Sequence, residues 1–158
     1  MTILPRAAAL AAALALMTAP RLAAQSGTIS VTIAGGPHAG KYEMQESCEI
    51  RPNSYPSLYI MAFTAGVAAD PKRPRMMEFF TASKKGKPDG FVVSVKFQDV
   101  DYQIFAIPRE FSAQAPVPSG RGTVAVKAVG TGRTATFSGQ TKEGVKMEGT
   151  IVCPSRAT

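Results

Sequence analysis

The stretch Gly-Thr-Ile-Ser-Val-Thr-Ile-Ala (27–34) alternates strictly between apolar and hydroxyl-bearing side chains from Thr28 to Ile33. Successive side chains of an extended chain point to opposite sides, so its three branched apolar residues share one face and its three hydroxyl residues the other. The stretch therefore predicts a half-buried β-strand. The next six residues, Gly-Gly-Pro-His-Ala-Gly (35–40), are typical of a turn, and a second strand is predicted to run from there toward Cys48.

Similar patterns recur along the chain, separated by turns rich in Gly, Pro and Asp. One of them, 57–64, is apolar on both faces, which favours a central strand. No stretch shows a convincing helical period. We therefore predict an all-β fold, an antiparallel β-sandwich or an open barrel of about eight or nine strands. The further strands are predicted over residues 57–64, 76–82, 91–97, 102–107, 124–128, 134–140 and 144–152.

The amino-acid composition supports this fold class once the N-terminal segment is set aside. Residues 25–158 contain one leucine, Leu58, against 12 valines, 7 isoleucines and 11 threonines. Branched residues of this kind favour strands, and a helical domain with one leucine would be very unusual. We expect a single β-domain over residues 25–158, with neither internal repeats nor an interdomain linker.

The first 24 residues resemble a signal peptide. Arg6 supplies a positive charge, an apolar run of 13 residues follows from Ala7 to Ala19, and small residues precede the predicted cleavage between Ala24 and Gln25. The run is too short to span a bilayer, and no later stretch is long enough to do so. We expect a protein of the periplasm or the extracellular space. Its net charge changes from +7 to +5 because two basic residues leave with the peptide.

Cys48 and Cys153 are the two cysteines of the chain, and an oxidising compartment favours a disulfide bond between them. Such a bond would tie down the C-terminal end. The alternative is a pair of buried free thiols. One cysteine pair and a single distant histidine do not make a zinc site, so we predict neither a metal nor a cofactor.

Four features of the chain belong together: Gly-Thr-Ile-Ser-Val-Thr-Ile (27–33), Cys48, Thr-Ala-Thr-Phe-Ser-Gly (134–139) and Val-Cys-Pro (152–154). Together they resemble the soluble part of mycobacterial lipoprotein antigens of the LpqH type. The resemblance implies a small β-rich domain with a bridge between its first and last parts, and it implies no catalytic residues. The chain departs from that family because Gln25 stands where the lipid-attachment cysteine would follow Leu22-Ala23-Ala24, which argues against membrane tethering.

The chemistry-bearing side chains do not form a catalytic pattern. His38, the single histidine, lies in the Gly/Pro turn, where we expect it to point to solvent without a partner. Two acidic pairs, Glu46/Glu49 and Asp99/Asp101, could serve a hydrolase if they converged in a cleft. Asp is common in hairpin turns for backbone reasons, however, and the second pair lies in such a turn.

Two basic clusters flank the predicted strand 76–82, and we treat them as candidate anion-binding residues. A strand of seven residues is about 23 Å long, so the clusters lie at its opposite ends and need not form one patch. Solvated loop charge is the alternative interpretation. The clusters are Lys72, Arg73 and Arg75 before the strand, and Lys84, Lys85 and Lys87 after it.

The sequence as a whole predicts an exported, non-catalytic β-domain with a binding or structural role in the cell envelope. The sequence does not identify its partner; the candidates are an anionic envelope component and another protein, and export argues against nucleic acid. Two alternatives stay open: a small secreted hydrolase that uses acidic residues in a cleft, and an inhibitor or adhesion module that presents the loop 108–120.

Overall fold

The computed structural model describes residues 26–52, 56–63, 70–82, 89–107 and 119–154. These residues form nine β-strands, and no helix is present among them. The strands are β1 (Ser26–Ala34), β2 (Gly40–Pro52), β3 (Pro56–Phe63), β4 (Met76–Ala82), β5 (Gly90–Lys96), β6 (Asp101–Ala106), β7 (Arg121–Val129), β8 (Gly132–Gln140) and β9 (Lys146–Cys153).

All neighbouring strands are antiparallel, in the order β6-β5-β4-β3-β2-β1-β9-β8-β7. The long strand β2 belongs to two sheets. Its first part, Gly40–Ser47, pairs with β1, whereas Cys48–Pro52 pairs with β3. The first sheet therefore contains β2, β1, β9, β8 and β7, and the second contains β2, β3, β4, β5 and β6.

The outer strands β6 and β7 approach each other without closing a barrel. Within the described residues, one bridge joins the two sides, between Phe105 and Ser119, and it lies just before β7 begins. The predicted all-β, antiparallel sandwich is thus confirmed, including its number of strands. Over the same residues, the structure contains no helix long and apolar enough to cross a bilayer.

The core lies between the two sheets. On β1 the predicted alternation is confirmed, because Ile29, Val31 and Ile33 are at most 1% exposed while the hydroxyl residues between them are half-buried. Aromatic rings from both sheets meet in this core: the Phe137 ring of β8 lies 5.7 Å from Phe79 of β4 and 5.8 Å from Phe91 of β5, between ring centroids. Burial of these apolar side chains is the main force that holds the sheets together.

The predicted disulfide bond between Cys48 and Cys153 is formed, with a Cα–Cα distance of 5.7 Å. It connects β2 with β9, which lie on either side of β1 in the first sheet. The bond passes close over the start of β1 at Gly27, where a Cβ atom would lie 2.7 Å from the Cys48 Cβ. Residue 27 must therefore be glycine for the bond to take this course.

Candidate functional site

The outer face of the first sheet carries hydroxyl groups in rows. The alternation of β1, β8 and β9 turns every second residue of each strand away from the core, and the strand register aligns these residues across the sheet. One row runs through Thr136, Thr150 and Ser30, which are opposite one another in neighbouring strands. The next row contains Ser138, Glu148 and Thr32, and it continues to Lys41 on β2.

A shallow depression of about 320 Å³ lies on this face. Its floor is at Gly149, which has no side chain, and the Phe137 ring packs against that glycine from the neighbouring strand. The rim carries both hydrogen-bond donors and acceptors, so the depression can hold a polar ligand. Its other lining residues are Ser30, Thr32, Lys41, Glu148 and Thr150.

A second depression, of about 250 Å³, lies beside the first part of β2, which pairs with β1 and not with β3. It is lined by Lys41 to Met44 together with Arg73 and the buried Pro74, which precede β4. Lys41 therefore lines both depressions. The lysine and arginine place two cationic groups at this site, with Glu43 as a nearby acid.

Tyr42 lines the second depression and also contacts the turn that follows β1. Its hydroxyl group donates a hydrogen bond to the His38 carbonyl oxygen at 3.0 Å. Partial burial raises the pKa of Tyr42 above its ordinary value of 10.0, and the nearby Tyr102 and Asp70 raise the pKa further. The phenol is therefore neutral, and able to donate, over the whole physiological pH range.

The basic residues before β4 are not equivalent in the structure. Lys72 and Arg73 are exposed in a turn that Asp70 organises, because its carboxylate accepts a hydrogen bond from the Lys72 backbone at 2.9 Å. Arg75 instead donates from its Nε to the Phe97 carbonyl oxygen at 3.2 Å, which connects it to the end of β5. Of this cluster, Arg73 lines the depression.

The second basic cluster, Lys84, Lys85 and Lys87, lies outside the described residues, so its part in anion binding stays a prediction. The structure shows that its segment connects the last residue of β4 with the start of β5, whereas Arg75 precedes the first residue of β4.

The expectation that His38 points to solvent without a partner is wrong. The residue is 8% exposed, its Nε2 lies 2.9 Å from Oδ1 of Asp99, and its ring stacks on Phe97 at a centroid distance of 3.9 Å. The turn after β5 lies beside the turn after β1, at the same end of the sandwich. The contact joins residues 61 positions apart, which is why a local reading of the turn cannot find it.

The acidic pair Asp99/Asp101 has two separate structural roles. Asp99 faces His38, whereas Asp101 accepts a hydrogen bond from the Ser94 hydroxyl at 2.9 Å and lies 3.6 Å from Lys96 Nζ. Glu46 and Glu49 lie on β2, but their side chains are outside the described part of the structure. In the described ranges, no group of three or more His, Cys, Asp or Glu side chains is arranged to hold a metal ion.

Sequence reasoning missed Lys41 as a site residue, although it placed this lysine on the second strand. Its alternation with Tyr42 and Met44 predicts that it faces outward, which is the available signal. Its proximity to Arg73 arises from the path of the chain between β2 and β4, which the sequence pattern does not contain. Comparisons with protein-family models, curated proteins and solved structures find no match for this chain.

Proposed function

We propose that this protein is an exported, non-catalytic β-domain that binds an anionic component of the cell envelope. The binding surface is the Lys41 surface, which comprises Ser30, Thr32, Lys41, Arg73, Glu148 and Thr150. The observation that carries the proposal is that Lys41 lines both depressions, one of which adds Arg73 and the other a set of hydroxyl groups.

The chemistry of the Lys41 surface fits a polymer that carries both hydroxyl and acid groups. Arg73 and Lys41 attract carboxylate or phosphate groups, and Ser and Thr hydroxyls exchange hydrogen bonds with sugar hydroxyls. Glu148 at the first depression and Glu43 at the second disfavour a dense row of negative charges, because like charges repel. An acidic polysaccharide with spaced charges satisfies these conditions better than a bare polyanion.

Three observations support a location outside the cytoplasm. The first 24 residues resemble a signal peptide, the Cys48–Cys153 bond is typical of oxidising compartments, and the resemblance to LpqH-type antigens concerns proteins of the envelope. The charge of +5 after cleavage also favours association with anionic material.

The test is equilibrium binding of the purified protein to alginate, an acidic polysaccharide, with neutral dextran of matched length as the control polymer. We expect saturable binding to alginate that weakens with added salt, and weaker binding to dextran. The double variant Lys41→Gln/Arg73→Gln should bind about tenfold more weakly, because each exposed ion pair contributes up to about 1 kcal/mol.

The matched control is Arg133→Gln/Lys142→Gln, which removes the same charge from a half-buried and an exposed position away from the Lys41 surface. Equal losses in the two double variants would show that net charge alone attracts the polymer and would contradict the proposed surface. Polymer cleavage should be measured in the same samples. Sustained turnover would contradict the non-catalytic part of the proposal.

A further inference from the structure

Strand β7 forms one edge of the strand order, and none of its nine residues is fully buried. It pairs with β8 on one side, from Arg121 opposite Gln140 to Val129 opposite Gly132. On its other side, the described residues contain a bridge at Ser119, before the strand begins, and no strand pairs with β7 itself. Its nine residues are all exposed or half-buried, and Val129 is 62% exposed.

An edge of this kind offers unpaired backbone N–H and C=O groups to another strand. Its sequence, Arg-Gly-Thr-Val-Ala-Val-Lys-Ala-Val (121–129), has no proline, and its pairing with β8 is continuous. Nothing within the strand therefore interrupts a further ladder. Its two charges, on Arg121 and Lys127, restrict the register instead, because like charges directly opposite each other are destabilising.

We propose that β7 pairs with β7 of a second copy of this chain, antiparallel and around a twofold axis at Ala125. A ladder centred on Val124 would place Arg121 opposite Lys127 of the other copy. A ladder centred on Val126 would leave the first two residues of each strand without a partner. The ladder centred on Ala125 pairs all nine residues of each strand, and it does not place Arg121 directly opposite Lys127.

The side chains of the two copies match in this register. Val124 faces Val126 of the other copy on the core side, where both are half-buried and pack against the hydrophobic core. On the outer side, Thr123 faces Lys127, and the exposed Val129 faces the aliphatic part of Arg121. The pairing thus adds backbone hydrogen bonds and covers apolar surface at the same time.

The dimer would join the first sheets of two copies into ten strands. The twofold axis is perpendicular to the sheet, so both Lys41 surfaces lie on the same side. A polymer with repeated acid groups could then bind both copies, which increases the overall affinity without a new contact. The dimer itself does not depend on the proposed ligand, and its test uses no ligand.

The register is tested by disulfide trapping of Ala125→Cys in the protein whose Cys48–Cys153 bond is already formed. Directly opposite Cβ atoms in such a ladder are about 5 Å apart, close enough for a disulfide on mild oxidation. The control is Val129→Cys, an equally accessible thiol whose two copies would be about 27 Å apart. We expect a covalent dimer of the first variant and none of the second. Equal trapping of both, or trapping of Val129→Cys alone, would overturn the proposal.

The association is tested by light-scattering mass over a concentration series. Wild-type protein should shift from monomer to dimer, and Ala125→Lys should raise the dissociation constant at least about fivefold, because its two lysines face each other at the axis. Thr136→Lys adds the same charge in the same row of the outer face, one strand further in, and should dimerise like wild type. A monomeric mass up to the solubility limit, or equal effects of both variants, would overturn the proposal.

Discussion

The His38 ring lies between the turns of two different hairpins. Phe97 stacks on the ring, and Oδ1 of Asp99 lies within hydrogen-bond distance of the ring Nε2. Tyr42 donates a hydrogen bond to the backbone carbonyl oxygen of His38. The ring is buried, whereas the side chain of Asp99 is 63% exposed. Ring packing should therefore contribute more to stability than the hydrogen bond to Asp99, because water can replace an exposed partner at little cost.

Replacing His38 by Ala should lower the free energy of unfolding by about 2–3 kcal/mol, since the change removes a packed ring and leaves a cavity. Asp99→Ala should cost about 1 kcal/mol, because water can replace the exposed carboxylate. Urea unfolding of the two variants and the wild type measures both values. Equal losses would show that the hydrogen bond, rather than ring packing, holds the two turns together.

The identity of His38 as the single histidine was visible in the sequence, but its partner was not. A turn rich in Gly and Pro is normally solvated, which is why exposure is the natural expectation for residues 35–40. Tertiary structure overrides that expectation here, since Phe97 and Asp99 approach from a distant hairpin. The disulfide was predictable because two cysteines allow one pairing.

At the scale of secondary structure, alternation predicted the positions of most strands. The prediction 76–82 coincides with β4, and 91–97 and 102–107 differ from β5 and β6 by one residue at each end. Strand β2 is longer than predicted, because its second part leaves one sheet and pairs in the other. Such a change of partner has no periodic signature, since side chains alternate in both sheets.

Gly149 determines how closely β8 and β9 pack against the core. A Cβ atom at this position would lie 2.7 Å from the Phe137 ring and would also meet the Ser30 carbonyl oxygen. Aromatic rings often cover glycines in sheets in this way. The glycine therefore lets the Phe137 ring pack directly against the backbone of β9.

Gly149→Ala should lower the free energy of unfolding by about 1–3 kcal/mol, because the strands must move apart or the ring must turn. Glu148→Ala, one position earlier and exposed, should change it by about 0.5 kcal/mol or less. Thermal unfolding at equal protein concentration provides the comparison. An unchanged midpoint in Gly149→Ala would show that the ring accommodates the extra methyl group without cost.

At the scale of the whole molecule, the fold class followed from composition and alternation, whereas the strand order did not. Which strands become neighbours depends on many weak side-chain contacts that no local pattern records. The pairing of β1 with β9, which brings the two ends of the described chain together, depends on such contacts. The Lys41 surface could not be predicted from the sequence either, since its residues come from β1, β2, β9 and the segment before β4.

The disulfide acts on the whole molecule because 105 positions separate its cysteines. Replacing both cysteines by Ala should lower the free energy of unfolding by at most about 4–5 kcal/mol, the chain-entropy value for a loop of this length. Chemical unfolding of the variant and of the oxidised wild type measures the difference. Identical unfolding midpoints would show that the sheet alone restricts the ends.

The course of the Cys48–Cys153 bond has a consequence for the protein in a protease-rich environment. Every connection from β2 to β9 lies between the two bonded cysteines in the chain. A single peptide-bond cleavage in any of these loops therefore yields two fragments that remain covalently joined, and both still belong to the same pair of sheets. A cut in one of these loops therefore nicks the molecule without dividing it, and a second cut is needed to release any strand from β3 to β8.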